Sequence, residues 1–178
     1  MGWPVRGAGA LRRPGVATDD RLLGRESPPL GGGRKRREKN QAIGRSRGGQ
    51  TTKIHAITDE HCRPLAFLIT GGNVADCIAG ATLIDRLPDC DVVNGDKGYD
   101  TDALRKQIRE RGALANIPPK ANRKEKPCFS PFLYRDRNAI ERMFSRLKDF
   151  RRIATRYDRN AKNFLAAVCL AATVSYWL

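Results

Sequence analysis

The sequence has few of the side chains that form soft-metal sites and disulfide frameworks. Its 178 residues include two histidines and five cysteines. The number of cysteines is odd and none of them forms a CxxC pair, which argues against a zinc ribbon and a disulfide framework. Scattered thiols of this kind are typical of a reducing compartment. The cysteines are Cys62, Cys77, Cys90, Cys128 and Cys169.

The sequence also lacks an apolar run long enough to cross a membrane. The longest apolar stretch, 164–178, contains Thr173 and Ser175 and falls short of the roughly 20 residues that a spanning helix needs. We expect a buried core helix there, with a tail anchor as the alternative. The N-terminus, MGWPVRGAGALRRPGV, has no apolar segment of a secretory signal. The sequence therefore predicts a cytoplasmic protein with no membrane partner.

Basic side chains outnumber acidic ones, but their excess is uneven along the chain. The 34 Lys and Arg residues oppose 19 Asp and Glu, for a net charge of +15. Residues 1–50 carry a net +8, residues 51–100 a net −4 and residues 101–178 a net +11. A simple basic coat for nucleic acid or membrane would not need an acidic centre. A metal site that faces a polyanion would need one.

The beginning of the chain has the composition of a segment that does not fold. Residues 1–33 are rich in Gly, Pro and Arg and have no hydrophobic periodicity. The basic run RKRREK at 34–39 is a solvated linker or, alternatively, an arm that contacts phosphates. We therefore expect a disordered basic segment at 1–40 and one folded domain at 41–178.

From about Gln50 the pattern becomes that of a mixed α/β domain. Two apolar runs joined by a polar turn predict an antiparallel hairpin, and strands followed by interspersed helices indicate an α/β fold. The predicted strands are 51–58, 65–70, 91–94 and 114–117, and the predicted helices are 75–87, 101–111, 134–150 and 163–177.

Asp96 is the first candidate for a functional side chain. It follows a short buried strand, and α/β sheets bind ligands at the carboxyl ends of their strands. Gly95 and Gly98 leave room for a close approach to the backbone. A Gly-rich turn also favours Asp for purely structural reasons, so position alone leaves both interpretations open.

The helix that begins at Tyr134 carries the other candidates. Its apolar positions recur at helical spacing, which predicts a stripe that faces the core. Four polar residues lie within roughly 60° of each other beside that stripe. An ordinary charge pair of Arg137 with Glu141 is the alternative, but it leaves the rest of the polar stripe unexplained. The apolar stripe is Ile140, Met143, Phe144 and Leu147, and the polar stripe is Tyr134, Arg137, Glu141 and Lys148.

These residues resemble the signature of the DDE transposases of bacterial insertion sequences. Tyr134-x2-Arg137-x3-Glu141-x6-Lys148 is similar to the Tyr/Arg/Glu/Lys signature of that superfamily. The upstream turn Gly95-Asp96-Lys97-Gly98-Tyr99-Asp100 resembles the insertion-sequence-five family within it. The segments 44–55 and 163–168 are similar to the same family, and the resemblance runs from about Lys35 to Leu178.

The resemblance implies an RNase H-like mixed sheet flanked by helices and a nucleoid-associated transposase. Its partner would be double-stranded DNA, both transposon ends and target, and a homo-oligomer is compatible with it. Such enzymes hold two Mg²⁺ or Mn²⁺ ions between three carboxylates. Carried over residue by residue, Asp96 is the second acid and Glu141 the third, both catalytic metal ligands. By the same resemblance Tyr134, Arg137 and Lys148 would position DNA phosphates.

The first acid of the family has no clear counterpart in this sequence. Asp19 and Asp20 follow Gly15-Val16-Ala17-Thr18, but the flanking residues do not resemble the family's first strand. We therefore expect a sheet that lacks this strand, in a truncated or frameshifted copy whose first 33 or so residues are out of frame. Such a copy would have an incomplete catalytic triad and little or no activity. The alternatives are a non-enzymatic DNA-binding or regulatory remnant and a basic RNA-associated protein, although the latter leaves the polar stripe unexplained.

Overall fold

The computed structural model describes residues 15–19, 41–46 and 49–178, and for 15–19 it describes the backbone alone. Within these residues six strands and six helices follow each other along the chain. The strands are β1 (Gly15–Asp19), β2 (Gly44–Ser46), β3 (Gly49–Thr58), β4 (Pro64–Gly71), β5 (Val92–Gly95) and β6 (Leu114–Asn116). The helices are α1 (Asp76–Ile84), α2 (Asp102–Glu110), α3 (Pro131–Tyr134), α4 (Asn138–Lys148), α5 (Arg151–Ala154) and α6 (Ala161–Tyr176).

All six strands form one mixed sheet. β1 lies between β3, to which it is antiparallel, and β5, to which it is parallel. β6 continues the sheet parallel to β5, while β3 also pairs with β4 and, at its beginning, with β2. The predicted hairpin is thus confirmed as β3 and β4. A mixed sheet with its first strand central, beside the strand that precedes Asp96, is the RNase H-like arrangement that the resemblance implies.

The expectation that the sheet lacks its first strand is wrong. In β1, Gly15 pairs with Thr58 and Asp19 with Ile54, while Val16 lies alongside Gly95 of β5. The Arg- and Pro-rich flanks conceal this strand in the sequence. Its pairing with a neighbour on each side decides the conformation, since strand preference depends on the surrounding sheet. These five residues are also an exception to the disorder predicted for 1–40; the rest of that segment, including 34–39, lies outside the described residues.

Two apolar clusters lie on opposite faces of the sheet. Consecutive residues of β3 contribute to different clusters, as the alternation of side chains along a strand requires. One cluster packs the sheet against α4, α5 and α6 and includes Ile54, Ala56, Ile140, Met143, Phe144, Leu147, Ile153, Phe164 and Val168. The other packs it against α1 and α2 and includes Ile57, Leu83, Ile84, Val93, Tyr99, Leu104 and Ile108.

The helices agree with the sequence in kind and differ at their ends. The helix predicted over 134–150 consists of α3, a 3₁₀ turn at Arg135–Arg137, and α4. The last helix buries Phe164 and Val168 in the core but leaves Leu170 and Val174 exposed, so the predicted core helix is confirmed for one face. No helix among the described residues has both the length and the apolar character needed to span a membrane.

Candidate active site

Asp96 directly follows β5, the strand that lies beside the central strand β1. The four residues of β5 before it are buried, and a 3₁₀ turn, Lys97–Tyr99, follows it. The backbone N–H of Tyr99 donates to the Asp96 carbonyl at 2.9 Å, which closes the turn. The Asp96 side chain is 27% exposed. The strand and the turn therefore present this carboxylate at a partly open position beside a buried framework.

The end of α3, the 3₁₀ turn and the beginning of α4 bring Tyr134, Arg137 and Glu141, in that order, to the side of Asp96. The four apolar residues of the predicted stripe are all buried, which confirms the stripe and fixes the rotation of the helix. Arg137 donates to Asp96 Oδ1 at 2.6 Å and to Glu141 Oε1 at 2.5 Å. The Tyr134 hydroxyl donates to Asp96 Oδ1 at 3.2 Å. One guanidinium therefore joins two carboxylates that are distant in sequence.

Two features complete the arrangement of the predicted residues. The Arg137 guanidinium lies over the Tyr134 ring, 5.3 Å from its centroid, and this contact orients it between the carboxylates. Lys148 is the last residue of α4, about 10 Å along the helix axis from Glu141 at 1.5 Å per residue. Four of the five predicted residues thus form one group, and Lys148 lies at the other end of the same helix.

Burial and neighbouring charges shift the pKa values of three side chains in this group. Burial raises the pKa of Asp96 above its ordinary value, because it outweighs the opposing effects of Arg137 and Tyr134. Burial and the neighbouring Asp96 raise the pKa of Tyr134 to about 12, so Tyr134 remains a neutral donor. Burial would lower the pKa of Arg137, but Asp96, Tyr134 and Glu141 together raise it. Arg137 is therefore a permanent cation between two carboxylates.

The donor set suits a hard divalent cation. Asp96 and Glu141 offer carboxylate oxygens, which Mg²⁺ and Mn²⁺ prefer, and their shared guanidinium shows that a positive charge fits between them. Among residues 41–46 and 49–178, no three or more His, Cys, Asp or Glu side chains are grouped as a metal site. Among the described side chains, the group around Arg137 thus contains two carboxylates, whereas the resemblance implies three.

The backbone of β1 approaches the same region. Asp19 pairs with Ile54, and Ile54 belongs to the cluster beneath α4. Val16 is level with Gly95, so β1 continues beyond the end of β5 on the side of Asp96. The register of the sheet therefore brings one acidic residue of the first strand to the end of the sheet where Asp96 lies.

Sequence reasoning missed a second group of polar residues behind the site. The buried Asp100 carboxylate accepts from Arg105 Nε and Arg123 Nε, each at 2.8 Å, and from the Lys120 backbone N–H at 2.7 Å. Burial alone would raise the pKa of Asp100, but these donors outweigh burial and lower it. The network fastens the loop that leads towards α3 onto the turn after Asp96. Its signal in the sequence is the second Asp of the Gly-Asp-Lys-Gly-Tyr-Asp turn.

The sheet order and the carboxylate pair define an RNase H-like domain with a potential metal site. The chain belongs to the transposase DDE domain family, whose model matches residues 11–176. It is 36% identical over 129 residues to a Brucella ovis protein named as a transposase for insertion sequence element IS6501, a match covering 72% of this chain and 98% of that protein. Members of this family generally use divalent metal ions.

Two further comparisons involve longer proteins. A Burkholderia cepacia protein named as a transposase for insertion sequence element IS402 is 31% identical over 137 residues, covering 71% of this chain and 63% of that protein. The fold is also similar to a solved piggyBac transposase synaptic complex with hairpin DNA, with a TM-score of 0.54 and 11% identity. That likeness covers 93% of this chain and 47% of the other, and it shows the shared fold. This chain therefore spans less than two thirds of the length of each of these two proteins.

Proposed function

We propose that this protein is a transposase that cleaves and transfers DNA strands at the ends of an insertion sequence. The observation that carries the proposal is the Arg137 bridge, in which one cation joins Asp96 and Glu141. Two carboxylates held this close around a positive charge are the arrangement that a divalent metal needs. The family membership supplies the reaction class, and the site supplies the residues that would perform it.

In this proposal each residue of the group has a separate task. Asp96 and Glu141 would hold the metal ions, whose chemistry when bound would be to activate a water or 3′-hydroxyl and to stabilise the leaving oxygen. Tyr134 keeps the Asp96 carboxylate in one orientation through its hydroxyl. Arg137 would contact a DNA phosphate, because a guanidinium matches phosphate geometry. Lys148 binds a phosphate further along the DNA.

The proposal includes Asp19 as the third acid. Its place in β1 supports this assignment, because Asp19 lies three residues past Val16, which pairs with Gly95 immediately before Asp96. Asp20, the other candidate, lies outside the described residues. If the wild-type chain cleaves DNA, replacement of Asp19 by Asn should abolish cleavage while Asp20→Asn should not. The reverse result would assign the third acid to Asp20.

The partner in this proposal is double-stranded DNA at the nucleoid, in the bacterial cytoplasm. The net +11 of residues 101–178 supports a polyanionic partner. The piggyBac chain of similar fold was solved as a synaptic complex with hairpin DNA, which supports DNA as that polyanion. A homo-oligomer would allow two transposon ends to be held together.

A strand-cleavage assay tests the function directly. Labelled duplexes carrying the ends of the element that encodes the chain are incubated with purified protein in Mg²⁺, in Mn²⁺ and in EDTA. Cleaved or joined products that need the metal support a transposase. DNA binding that is the same with and without metal, and without any product, would instead favour the non-enzymatic remnant.

Replacement of Arg137 by Gln is expected to tighten Mn²⁺ binding in the absence of DNA. The guanidinium competes with a metal for both carboxylates, and losing two charge-assisted hydrogen bonds should strengthen metal binding by about tenfold. Electron paramagnetic resonance of unbound Mn²⁺ during a titration measures this affinity.

The matched control for this prediction is Arg142→Gln. Arg142 lies on α4 as an exposed arginine that contacts Cys62 Sγ at 3.3 Å, and its loss removes the same charge without touching either carboxylate. We expect its Mn²⁺ affinity to equal that of the wild type. Equal or weaker binding by Arg137→Gln would show that Arg137 does not compete with the metal.

A further inference from the structure

A series of hydrogen-bonded polar side chains links β3 and β4 to the turn after Asp96. His55, in β3, is completely buried. Its Nδ1 lies 3.1 Å from the Tyr99 hydroxyl and its Nε2 lies 2.8 Å from Thr70 Oγ1. A buried imidazole is costly unless both nitrogens have partners. His55 therefore connects the hairpin of β3 and β4 to Tyr99, which belongs to the turn that follows Asp96.

Tyr99 has little freedom to lie elsewhere. Its side chain is 1% exposed, and its ring packs against Gly80 of α1, where an added Cβ would lie 2.6 Å from the ring. The His55 ring meets it edge to face, with centroids 6.5 Å apart. Its backbone N–H is the donor that closes the turn onto the Asp96 carbonyl. The contacts that fix the Tyr99 ring therefore also restrain the Asp96 backbone, through the hydrogen bond that closes the turn.

His55 is neutral in this environment. Burial lowers the pKa of His55 to about 4, while Asp76 raises it and Lys53 lowers it by smaller amounts. A neutral imidazole has one N–H donor and one acceptor nitrogen. The two hydroxyl partners can each donate or accept, so they satisfy both nitrogens at neutral pH.

We propose that His55 is a positioning residue for Asp96 and acts by holding the Tyr99 hydroxyl. The inference rests on the proposed role of Asp96 as a metal ligand. Tyr134 and Arg137 orient the Asp96 side chain from one side, whereas the turn sets the position of its backbone. His55 reaches the turn through its 3.1 Å contact with the Tyr99 hydroxyl, so it acts on Asp96 indirectly, through Tyr99.

The test compares two variants, each of which removes one of the two hydroxyl groups that hydrogen-bond to His55. Tyr99→Phe breaks the link to the turn and keeps the ring against Gly80, while Thr70→Val breaks the other hydrogen bond of His55 and leaves Tyr99 in place. Amide hydrogen exchange, followed by NMR, reports the opening of the turn without any metal. Exchange of the Tyr99 amide, measured relative to the core amide of Ile57, should rise about tenfold in Tyr99→Phe, the effect of losing one hydrogen bond. It should not rise in Thr70→Val.

Unchanged exchange at the turn in Tyr99→Phe would overturn the inference. An equal rise in Thr70→Val would also overturn it, because it would indicate general loosening of the hairpin. Mn²⁺ titration of the same proteins separates this inference from the proposed function. Mn²⁺ binding that is weaker in Tyr99→Phe and unchanged in Thr70→Val supports both this inference and the proposed function. A turn that opens in Tyr99→Phe while the wild type binds no Mn²⁺ would refute the metal site and leave the hold of His55 on the turn established.

Discussion

Replacement of Asp96 by Asn is expected to lower metal-dependent strand cleavage by about a thousandfold, the cost of removing a group that stabilises charge at a reacting centre. The amide keeps the shape of the side chain and an oxygen that can accept from Tyr134 and Arg137. It lacks the negative charge that a divalent cation requires. Glu141→Gln should have a comparable effect, because Arg137 pairs with both carboxylates and so places them around one positive charge.

The control variant for this prediction is Asp136→Asn. Asp136 is exposed and directly precedes Arg137, so its replacement makes the same charge change close to the site. Cleavage should remain near the wild-type rate in that variant. Melting temperatures and DNA binding should be similar in all three variants, which would locate the loss in the chemical step. Cleavage by Asp96→Asn at the wild-type rate in Mg²⁺ would exclude Asp96 as a metal ligand.

Local patterns in the sequence predict a large part of this fold. The apolar stripe of α4 follows from helical spacing, because a helix that packs on a sheet must bury one face. The hairpin of β3 and β4 follows from two apolar runs around a polar turn. Asp96 could be identified because a short strand and two glycines flank it. In each case the signal lies within one element or two that are adjacent in sequence. The structure confirms the stripe and the hairpin, while the role of Asp96 stays a prediction.

Features that depend on distant partners could not be predicted in the same way. β1 has an unremarkable sequence, and its strand conformation comes from pairing with β3 and β5. Helical spacing suggested the pair of Arg137 with Glu141, but it could not show that the same guanidinium reaches Asp96. The partners of His55 come from β4 and from the turn after β5. Register and tertiary contacts determine these features, and a single sequence carries little information about either.

Replacement of Asp100 by Asn is expected to cost about 3–5 kcal/mol of unfolding free energy, because removing one partner leaves the other charge buried and unpaired. The Asp100 side chain is 0% exposed and that of Arg105 is 6% exposed. An amide cannot accept from Arg105, Arg123 and Lys120 with two charged oxygens, and its own N–H₂ would face these donors. Urea unfolding followed by circular dichroism measures the loss.

Asp102→Asn is the matched control for the Asp100 prediction. Asp102 also pairs with Arg123, at 2.6 Å, but its side chain is 89% exposed, so its loss should change stability by less than about 0.5 kcal/mol.

The pKa of Asp100 is lowered from its ordinary value of 3.8. Its carboxylate therefore stabilises the fold fully at pH values above 3.8, and this stabilisation is lost as the pH falls through the lowered pKa. Asp100→Asn should therefore lose less stability than the wild type on acidification. Equal unfolding midpoints for the two variants at neutral pH would show that the buried network around Asp100 contributes no more to stability than the exposed pair of Asp102 with Arg123.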